Sequence, residues 1–340
     1  MRLSESTLDS EALRLEAIGE LRRVVGFDRW CWPLADPETL ITNSGLAEHD
    51  YVPGVPRALE LEYTIDDFAA KRVLARRTNA AGSLSAETRG DLARSPRWDE
   101  VMRPVGIGDV AAVACRDLHG TWGWIEAYRD RGDPPFDDDD VALLGAVGAS
   151  LGAALRRTTY AGASGAAPAR STGIIILDHD VRPVSWTGAA RAWIDAMPGA
   201  RFLAQLGMLP SVIYPVAVLA RNPATAAGAH SMVRTIDGRW AMVEAARLEG
   251  EDERRVAVTL RSPTATEIFD LLSRAYAFTR RERQLVAALG TGLDTGTAAE
   301  QLLISPHTVQ DHLKAVFRKA GVYSRRELLA VFRGSEVTPD

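Results

Sequence analysis

The chain has 340 residues, of which 46% are hydrophobic and 25% are charged, and its formal net charge at pH 7 is −5. This composition is ordinary for a soluble globular protein and leaves room for two or three domains. No run of about 18 apolar residues occurs and the N-terminus is too polar for a signal peptide, so we expect a cytoplasmic protein without a membrane span. Its two cysteines, Cys31 and Cys115, are too few for a disulfide scaffold or a Cys-x-x-Cys metal site.

Residues 10–157 combine helical and strand patterns. The predicted elements are a helix at 13–25, strand pairs at 27–45 and 110–128, and a long closing helix at 136–157. The acidic run at 137–140 begins that last helix, where carboxylates stabilise the positive end of the helix dipole, and we prefer this role to a metal site. The order of helix, strands, helical crossover, strands and helix resembles the GAF sensory fold, which implies a GAF-like α/β domain over 10–157.

Aromatic side chains recur on the strands of this first domain. Trp30 and Trp32 share one face of their strand by alternation, and Trp122, Trp124 and Tyr128 share one face of another. If the two faces meet, they form an aromatic pocket for a flat or apolar effector. The alternative is that the rings fill the core, which is the more frequent role of strand aromatics.

Two connecting segments divide the chain. Residues 158–170 are small and Gly-containing, which is typical of an exposed linker. Residues 263–277 carry apolar residues at helical spacing and predict a connecting helix. These segments separate a middle unit, 171–261, from a C-terminal unit, 278–333.

The middle unit opens on an apolar strand that ends at Asp178 and later carries the hairpin signal Asp237-Gly238. Its opening strand pair and following helix resemble a PAS-like sensory fold. A phospho-receiver domain is the competing interpretation, because an aspartate at the end of an apolar strand can accept phosphate. That fold also needs a downstream lysine, and no lysine occurs between Lys71 and Lys314, so we favour the PAS-like interpretation.

The C-terminal unit reads as a set of short capped helices. Thr279 to Glu282 and Ser324 to Glu327 both fit the Ser/Thr-x-x-Glu capping box at a helix start. A second helix is predicted at 294–303, and a third begins at Ser305, whose hydroxyl caps it while the following proline suits the first turn. Two short helices joined by a brief turn form the arrangement in which the second helix enters the major groove of DNA.

The third helix has two chemically different faces. The packing face is predicted to hold Val309, Leu313, Val316, Phe317 and Ala320. The opposite face is predicted to project His307, Gln310, Asp311, Lys314 and Arg318 toward solvent or DNA. From residue 276 to 333 there are nine Lys and Arg against five Asp and Glu, a net of +4, so the rest of the chain carries −9. A basic module on an acidic body suits a ligand made of phosphates.

The same segment resembles the LuxR-type, or NarL-type, helix-turn-helix family. The residues that carry the resemblance are Thr279, Arg281-Glu282, Gly292-Leu293, Ala299, Ile304-Ser305, Thr308-Val309, His312-Leu313, Lys319, Gly321-Val322 and Ser324-Arg325. The resemblance implies a four-helix module whose last helix, 325–332, makes the dimer contact, with Gln310, Asp311 and Lys314 facing bases. Gly296, Ala298 and Ala320 depart from the family pattern. A glycine inside a helix costs roughly 1 kcal/mol relative to alanine, and the two alanines stand where larger aliphatic residues are usual, so we expect looser packing around them.

These patterns predict the binding residues of the module. We assign DNA contact to Ser305, His307, Thr308, Gln310, Asp311, His312, Lys314, Arg318 and Lys319. Asp311 is the unusual member, because a carboxylate is repelled by phosphates unless it accepts a hydrogen bond from a base amine such as cytosine N4.

Together the patterns predict an α+β multidomain chain with GAF-like, PAS-like and all-α helix-turn-helix domains. No phosphate-binding Gly-x-x-x-x-Gly-Lys loop, Gly-x-Ser-x-Gly elbow or His-Glu-x-x-His pair occurs, so we expect no enzyme, metal or cofactor. We expect a transcriptional regulator that binds double-stranded DNA as a homodimer and responds to a small molecule or a partner. Two alternatives stay open, a scaffold whose helical module binds protein, and an enzyme of unfamiliar site in the body.

Overall fold

The computed structural model describes residues 9–48, 52–160, 170–250 and 255–333. These residues fall into two compact units, one within 1–155 and 170–262 and the other within 156–169 and 263–340. The predicted linker at 158–170 lies mostly outside the described residues, since 161–169 are not among them. Within the described part of the chain, no helix is both long enough and apolar enough to cross a membrane.

The first domain of the first unit is an antiparallel sheet with helices on both faces. Its elements are α1 Ser10–Val25, β1 Arg29–Ala35, β2 Thr42–Glu48, α2 Val55–Thr64, α3 Lys71–Leu74, β3 Ala81–Ser83, α4 Leu84–Thr88, β4 Ile107–Asp117, β5 Gly120–Asp130 and α5 Asp138–Leu155. The strand order is β2-β1-β5-β4-β3. The predicted outer helices and both strand pairs are confirmed, whereas β3 is too short to leave a pattern in the sequence.

Helix α5 lies directly on β4, and two glycines make this approach possible. A side chain added at Gly152 would come within 2.5 Å of the backbone nitrogen of Arg116, and one added at Gly148 would come within 3.0 Å of the Ala114 carbonyl oxygen. On the opposite face of the sheet, Leu61 of α2 and Leu84 of α4 pack against Tyr128. The sheet is therefore buried on both sides.

The predicted aromatic pocket is wrong, because the rings point to opposite faces of one sheet. Trp30 is paired with Ala127 across the β1–β5 ladder, and directly opposed residues share a face. Trp124 and Tyr128 are each an odd number of residues from Ala127, so they point to the other face. The buried aromatic side chains of this domain are Trp30, Trp32, Trp122, Trp124 and Tyr128. They fill two separate layers of core, and their direction could not be known before the strand register was.

The second domain of the first unit repeats the same sheet order. Its elements are β6 Gly173–Leu177, β7 Pro183–Trp186, α6 Gly188–Asp195, α7 Ala200–Gln205, α8 Ile213–Arg221, β8 His230–Arg234, β9 Trp240–Arg247 and β10 Val256–Arg261. The order is β7-β6-β10-β9-β8 with antiparallel pairing throughout. The predicted hairpin at Asp237-Gly238 is confirmed, since it joins β8 to β9 and Gly238 has a φ of 80°.

Asp178 lies in a turn between antiparallel strands. Its carboxylate accepts hydrogen bonds from the backbone N–H groups of Asp180 and Arg182, both at 2.9 Å. Partial burial alone would raise the pKa of Asp178, but these hydrogen bonds lower it below its usual value. The carboxylate is thus engaged in holding the β6–β7 turn, and the phospho-receiver interpretation loses its acceptor site. His179 and Asp180 lie close to Asp178 in the same turn, and exposed acidic groups of this kind are common without a bound ion.

The second unit is helical. It contains a π-helical turn at Arg156–Tyr160 and the helices α9 Ala265–Ala275, α10 Arg280–Gly290, α11 Thr295–Leu302, α12 Pro306–Ala320 and α13 Arg325–Arg333. The predicted connecting helix is α9, and it belongs to the core of this unit. Its Leu272 is buried with Val286 of α10, Val316 of α12 and Leu328 of α13. A second core cluster lies between α10, α11 and α12 and includes Leu285.

Candidate nucleic-acid interface

Helix α10 begins with the predicted capping box. Thr279 Oγ1 accepts a hydrogen bond from the Glu282 N–H at 3.3 Å, and Glu282 Oε2 accepts one from the Thr279 N–H at 2.7 Å. The second box, at Ser324, differs from the prediction. Ser324 Oγ accepts from the Glu327 N–H, but the Glu327 carboxylate reaches one residue further back and accepts from the Tyr323 N–H at 2.8 Å.

The turn between α11 and α12 fixes the start of the predicted reading helix. Leu303 ends α11 with a φ of 54°, a left-handed conformation that costs a non-glycine residue about 1–2 kcal/mol. The Ile304 N–H then returns to the Ala299 carbonyl oxygen at 3.1 Å. Ser305 caps α12 through the Thr308 N–H at 3.1 Å, and Gly321 ends the helix with a φ of 68°. The boundaries predicted for this helix are confirmed.

Helix α12 separates its two faces as predicted. Val309 and Val316 are fully buried and Leu313 is 6% exposed, while Phe317 and Ala320 are half-buried. The opposite face is exposed along its length, with His307, Gln310, Asp311, Lys314 and Arg318 all open to solvent. A continuous polar surface is thus carried on a helix that is held from behind.

The remaining predicted contact residues differ in how free they are. Ser305 is exposed, and Thr308 and His312 are half-buried. The Thr308 hydroxyl lies 2.9 Å from the Ser305 hydroxyl. Lys319 is also half-buried, and its ammonium is engaged inside the domain. Its Nζ donates to Glu282 Oε2 at 2.7 Å and to the Ala277 carbonyl oxygen at 2.9 Å. We therefore assign Lys319 to the support of α12.

The exposed face of α12 carries polar contacts of its own. Asp311 lies between Lys314 and His307, with Lys314 Nζ at 3.5 Å and His307 Nε2 at 3.6 Å from its carboxylate oxygens. The Asp311 and Lys314 side chains are 57% and 76% exposed, so water screens these pairs strongly. Lys314 can exchange this partner for a phosphate, and Asp311 can exchange its partners for a base amine, at little cost.

Glu282 connects the start of α10 to the end of α12. Partial burial alone would raise the pKa of this carboxyl, but the Lys319 ammonium and the Thr279 N–H lower it below its usual value. A glutamate with a lowered pKa stabilises the folded state above the unfolded pKa of about 4.3, and this contribution is lost as the pH falls below it. The capping box and the ion pair therefore share one carboxylate, which the sequence indicated only for the capping box.

Lys319→Met is expected to loosen the packing of α12 against α10. The substitution leaves the Glu282 carboxylate, whose side chain is 5% exposed, without its cation, and such losses cost about 1–3 kcal/mol. Hydrogen exchange of the α12 amides should accelerate at pH 7, and the difference from the parent should shrink below about pH 4 as Glu282 is protonated. Lys314→Met on the same helix is the matched control. Equal protection in both variants would contradict the assigned support role.

Arg325 adds a contact that the sequence did not predict. Its Nη2 donates to the Leu293 carbonyl oxygen at 2.7 Å and to the Leu289 carbonyl oxygen at 3.2 Å. A cation at the C-terminal carbonyls of α10 is favourable for the helix dipole as well as for the hydrogen bonds. Arg325 therefore ties the start of α13 to the end of α10.

One segment of the helical unit matches a known protein family. Residues 276–332 match the family described as "Bacterial regulatory proteins, luxR family". No curated protein matches the chain. Two solved structures are similar to part of the chain. One is described as "Crystal structure of the phage VqmA-DPO complex"; it is 16% identical, the match covers 49% of this chain and 84% of that chain, and the TM-score is 0.19. The other is a Vibrio cholerae VqmA dimer in the absence of target DNA; it is 14% identical, the match covers 49% of this chain and 86% of that chain, and the TM-score is 0.20.

Proposed function

We propose that this chain, whose residues 276–332 form a LuxR-family helix-turn-helix domain, is a sequence-specific DNA-binding transcriptional regulator. The observation that carries the proposal is the exposed polar face of α12. Its side chains stand open to solvent while its apolar side is locked against α10 and α11. A helix held in this way can enter the major groove without unfolding any part of its own domain.

The proposed division of labour within the interface follows from chemistry and exposure. Lys314 and Arg318 supply positive charge for phosphates or guanine edges, and Gln310 can form a bidentate contact with adenine. Asp311 selects by repulsion, since it tolerates only a partner that donates a hydrogen bond. Ser305 is exposed at the N-terminus of α12, where the positive end of the helix dipole favours a phosphate.

We further propose that the two sheet domains are sensory and correspond to GAF-like and PAS-like folds. Two antiparallel sheets of the same strand order, each flanked by helices, support a duplicated sensory body. A small molecule or a protein partner would bias this body between states that present the helical domains differently. We expect no catalytic activity, and a DNA-binding role would place the protein in the cytoplasm.

A homodimer on DNA is part of the proposal, because helix-turn-helix proteins commonly read two half-sites related by a two-fold axis. The predicted dimer helix is α13. Its Leu328 is buried and Phe332 is 7% exposed, and both pack in the cluster that contains α9. The side of α13 that faces away from this cluster carries Arg326, which is exposed, and Ala330, which is half-buried; in the proposed dimer this side contacts the second copy.

Selection of binding sites from a random duplex library by the full chain tests the function. We expect enrichment of one two-fold symmetric motif, with affinity that falls steeply as salt rises. The double variant Gln310→Ala/Lys314→Ala should lose the motif while keeping the fold. Enrichment of the same motif by the variant would show that α12 is not the reading helix.

A protein-binding module is the second candidate, and two exposed side chains favour it. Leu303 is 91% exposed and Tyr323 is 92% exposed, at opposite ends of α12. Tyrosine is enriched among the side chains that anchor protein interfaces, and a protein partner would cover the exposed apolar surface of both residues. If the full chain shows no salt-dependent affinity for any duplex, this candidate replaces DNA binding.

A further inference from the structure

The first sheet domain contains a buried cluster of charged side chains. Lys71 Nζ lies 3.4 Å from Glu62 Oε2 and 2.9 Å from Glu126 Oε1. Arg97 Nη1 lies 2.5 Å from the same Glu62 oxygen and 3.0 Å from the same Glu126 oxygen, and its Nε lies 3.6 Å from Asp67 Oδ2. None of the five residues is more than 8% exposed. Three carboxylates thus share two cations away from water.

Stability alone is a poor reason for such a cluster. Removing charges from water costs several kcal/mol for each ion, and well-packed apolar residues of the same volume are often as stable or more so. The neighbouring carboxylates nevertheless favour the charged form of Lys71. Burial alone would lower the pKa of Lys71, but Glu126 and Glu62 raise it above its usual value. The cluster is therefore sensitive to any change in its charge balance, a property that is concentrated at functional sites.

A second polar arrangement joins the two sheet domains. Asp36 Oδ2 accepts a hydrogen bond from the Met232 N–H at 2.7 Å, and Asn43 Nδ2 donates one to the Met232 carbonyl oxygen at 2.7 Å. Asp36 and Asn43 belong to the first domain, and Met232 lies on β8 of the second. Asp36 is 4% exposed and Asn43 is 5% exposed. The first domain thus holds both backbone groups of one residue of the second. We call these three residues the interdomain clamp.

Tyr63 braces the segment that carries the clamp. Its hydroxyl accepts a hydrogen bond from the Thr42 N–H at 2.8 Å and donates one to the Leu40 carbonyl oxygen at 3.2 Å. The Tyr63 ring is buried in the same hydrophobic cluster as Ile213 of α8, and Leu59 packs against that cluster. The last turn of α2 therefore contacts the second domain directly and also orders the strand beside the clamp.

Glu62 and Tyr63 are consecutive residues of α2. Glu62 belongs to the buried charge cluster, and Tyr63 orders the segment beside the interdomain clamp. We propose that α2 couples the buried charge cluster of the first domain to the second domain, so that a change in the cluster alters the order of α8 and of the clamp. The proposal deepens the sensory role proposed above, because it gives the route by which an input in one sheet domain reaches the other. A shift of α2 that changes the Glu62 contacts must also shift Tyr63, since the two share one helical turn.

Hydrogen exchange of the full chain, followed by mass spectrometry, tests the coupling. Glu62→Gln keeps the shape of the side chain and removes its charge. We expect exchange at Ile213–Arg221 to accelerate on the order of tenfold, in a domain that contains no cluster residue. Glu60→Gln is the control on the same helix, because Glu60 pairs with Arg57 on its outer side. Asp109→Asn is the control for general loosening of the first domain, because this buried carboxylate holds Ser85 and the Phe136 N–H.

The reverse measurement keeps the proposal testable if Glu62→Gln fails to fold. The Lys71 N–H donates to Glu62 Oε1 at 2.7 Å and reports on the cluster. Because coupling is reciprocal, Tyr63→Phe should accelerate exchange of that amide although no cluster side chain has changed. Unchanged α8 exchange in Glu62→Gln, or equal acceleration in Asp109→Asn, overturns the coupling. An unchanged Lys71 amide in Tyr63→Phe does the same. These readouts involve no DNA, so a failure of the proposed regulator function leaves them intact.

Discussion

Arg97→Met is expected to destabilise the first sheet domain by about 3–5 kcal/mol, since removing one partner of a buried ion pair leaves the other uncompensated. Arg97 is 2% exposed and faces Glu62, Asp67 and Glu126. Methionine fills a similar volume, so the loss is mainly electrostatic. Urea unfolding followed by tryptophan fluorescence should show a clearly lower midpoint for the variant than for the parent.

The control and the pH dependence make this prediction specific. Arg103→Met removes an arginine of the same domain whose side chain is 52% exposed and pairs with Asp99, and it should change the midpoint little. Burial alone would raise the pKa of Glu126, but Lys71 and Arg97 lower it to about 2. The stability that this carboxylate contributes is present above the unfolded pKa of about 4.3 and is lost as the pH falls toward 2. The difference between parent and variant should therefore shrink over that range, and a constant difference would contradict the electrostatic explanation.

Lys314→Ala and Asp311→Ala are expected to change DNA binding in opposite ways. Loss of Lys314 should weaken binding on the order of tenfold at physiological salt and reduce the slope of log affinity against log salt by about one. Loss of Asp311 should raise affinity for unrelated sequences and broaden base preference, because a repulsive group is removed. In the free protein Asp311 also pairs with Lys314 at 3.5 Å, so its loss frees that cation for DNA.

Fluorescence anisotropy with a panel of duplexes over a range of salt concentrations measures both effects. Arg201→Ala, a charge removal at an exposed site on α7, is the matched control and should behave as the parent. Identical sequence preference in the parent and in Asp311→Ala would remove this residue from the interface. An unchanged salt slope in Lys314→Ala would remove Lys314 from the interface.

The sequence was most informative where the determinants of structure are local. The Thr279 capping box, the Ser305 cap and the alternation of buried and exposed positions on α12 all act within a few residues, and the structure confirms them. Long-range determinants behaved differently. The direction of Trp30 relative to Trp124 depends on which residue of β5 it faces, and only the register decides that.

The buried charge cluster was invisible in the sequence for the same reason. Glu62, Lys71, Arg97 and Glu126 come from α2, α3, a short helical turn before Trp98 and β5, and as isolated residues each resembles an ordinary surface charge. The role of Lys319 was misleading in another way, because a basic residue on a predicted reading helix suggests DNA contact. Its partner Glu282 had already been explained by the capping box.

The packing of α9 determines at which residue an isolated fragment of the helical unit can begin. Tyr276 and Phe278 stack with ring centroids 5.7 Å apart, and Phe269 of α9 lies 5.4 Å from Phe332 of α13. A fragment that starts at the family boundary, residue 276, would lack Phe269 and Leu272 and leave these rings open to water. An isolated DNA-reading fragment should instead begin ahead of Thr264, whose capping box starts α9. Fragments trimmed at the shorter boundary would aggregate, and their weak binding would then be mistaken for a property of the parent protein.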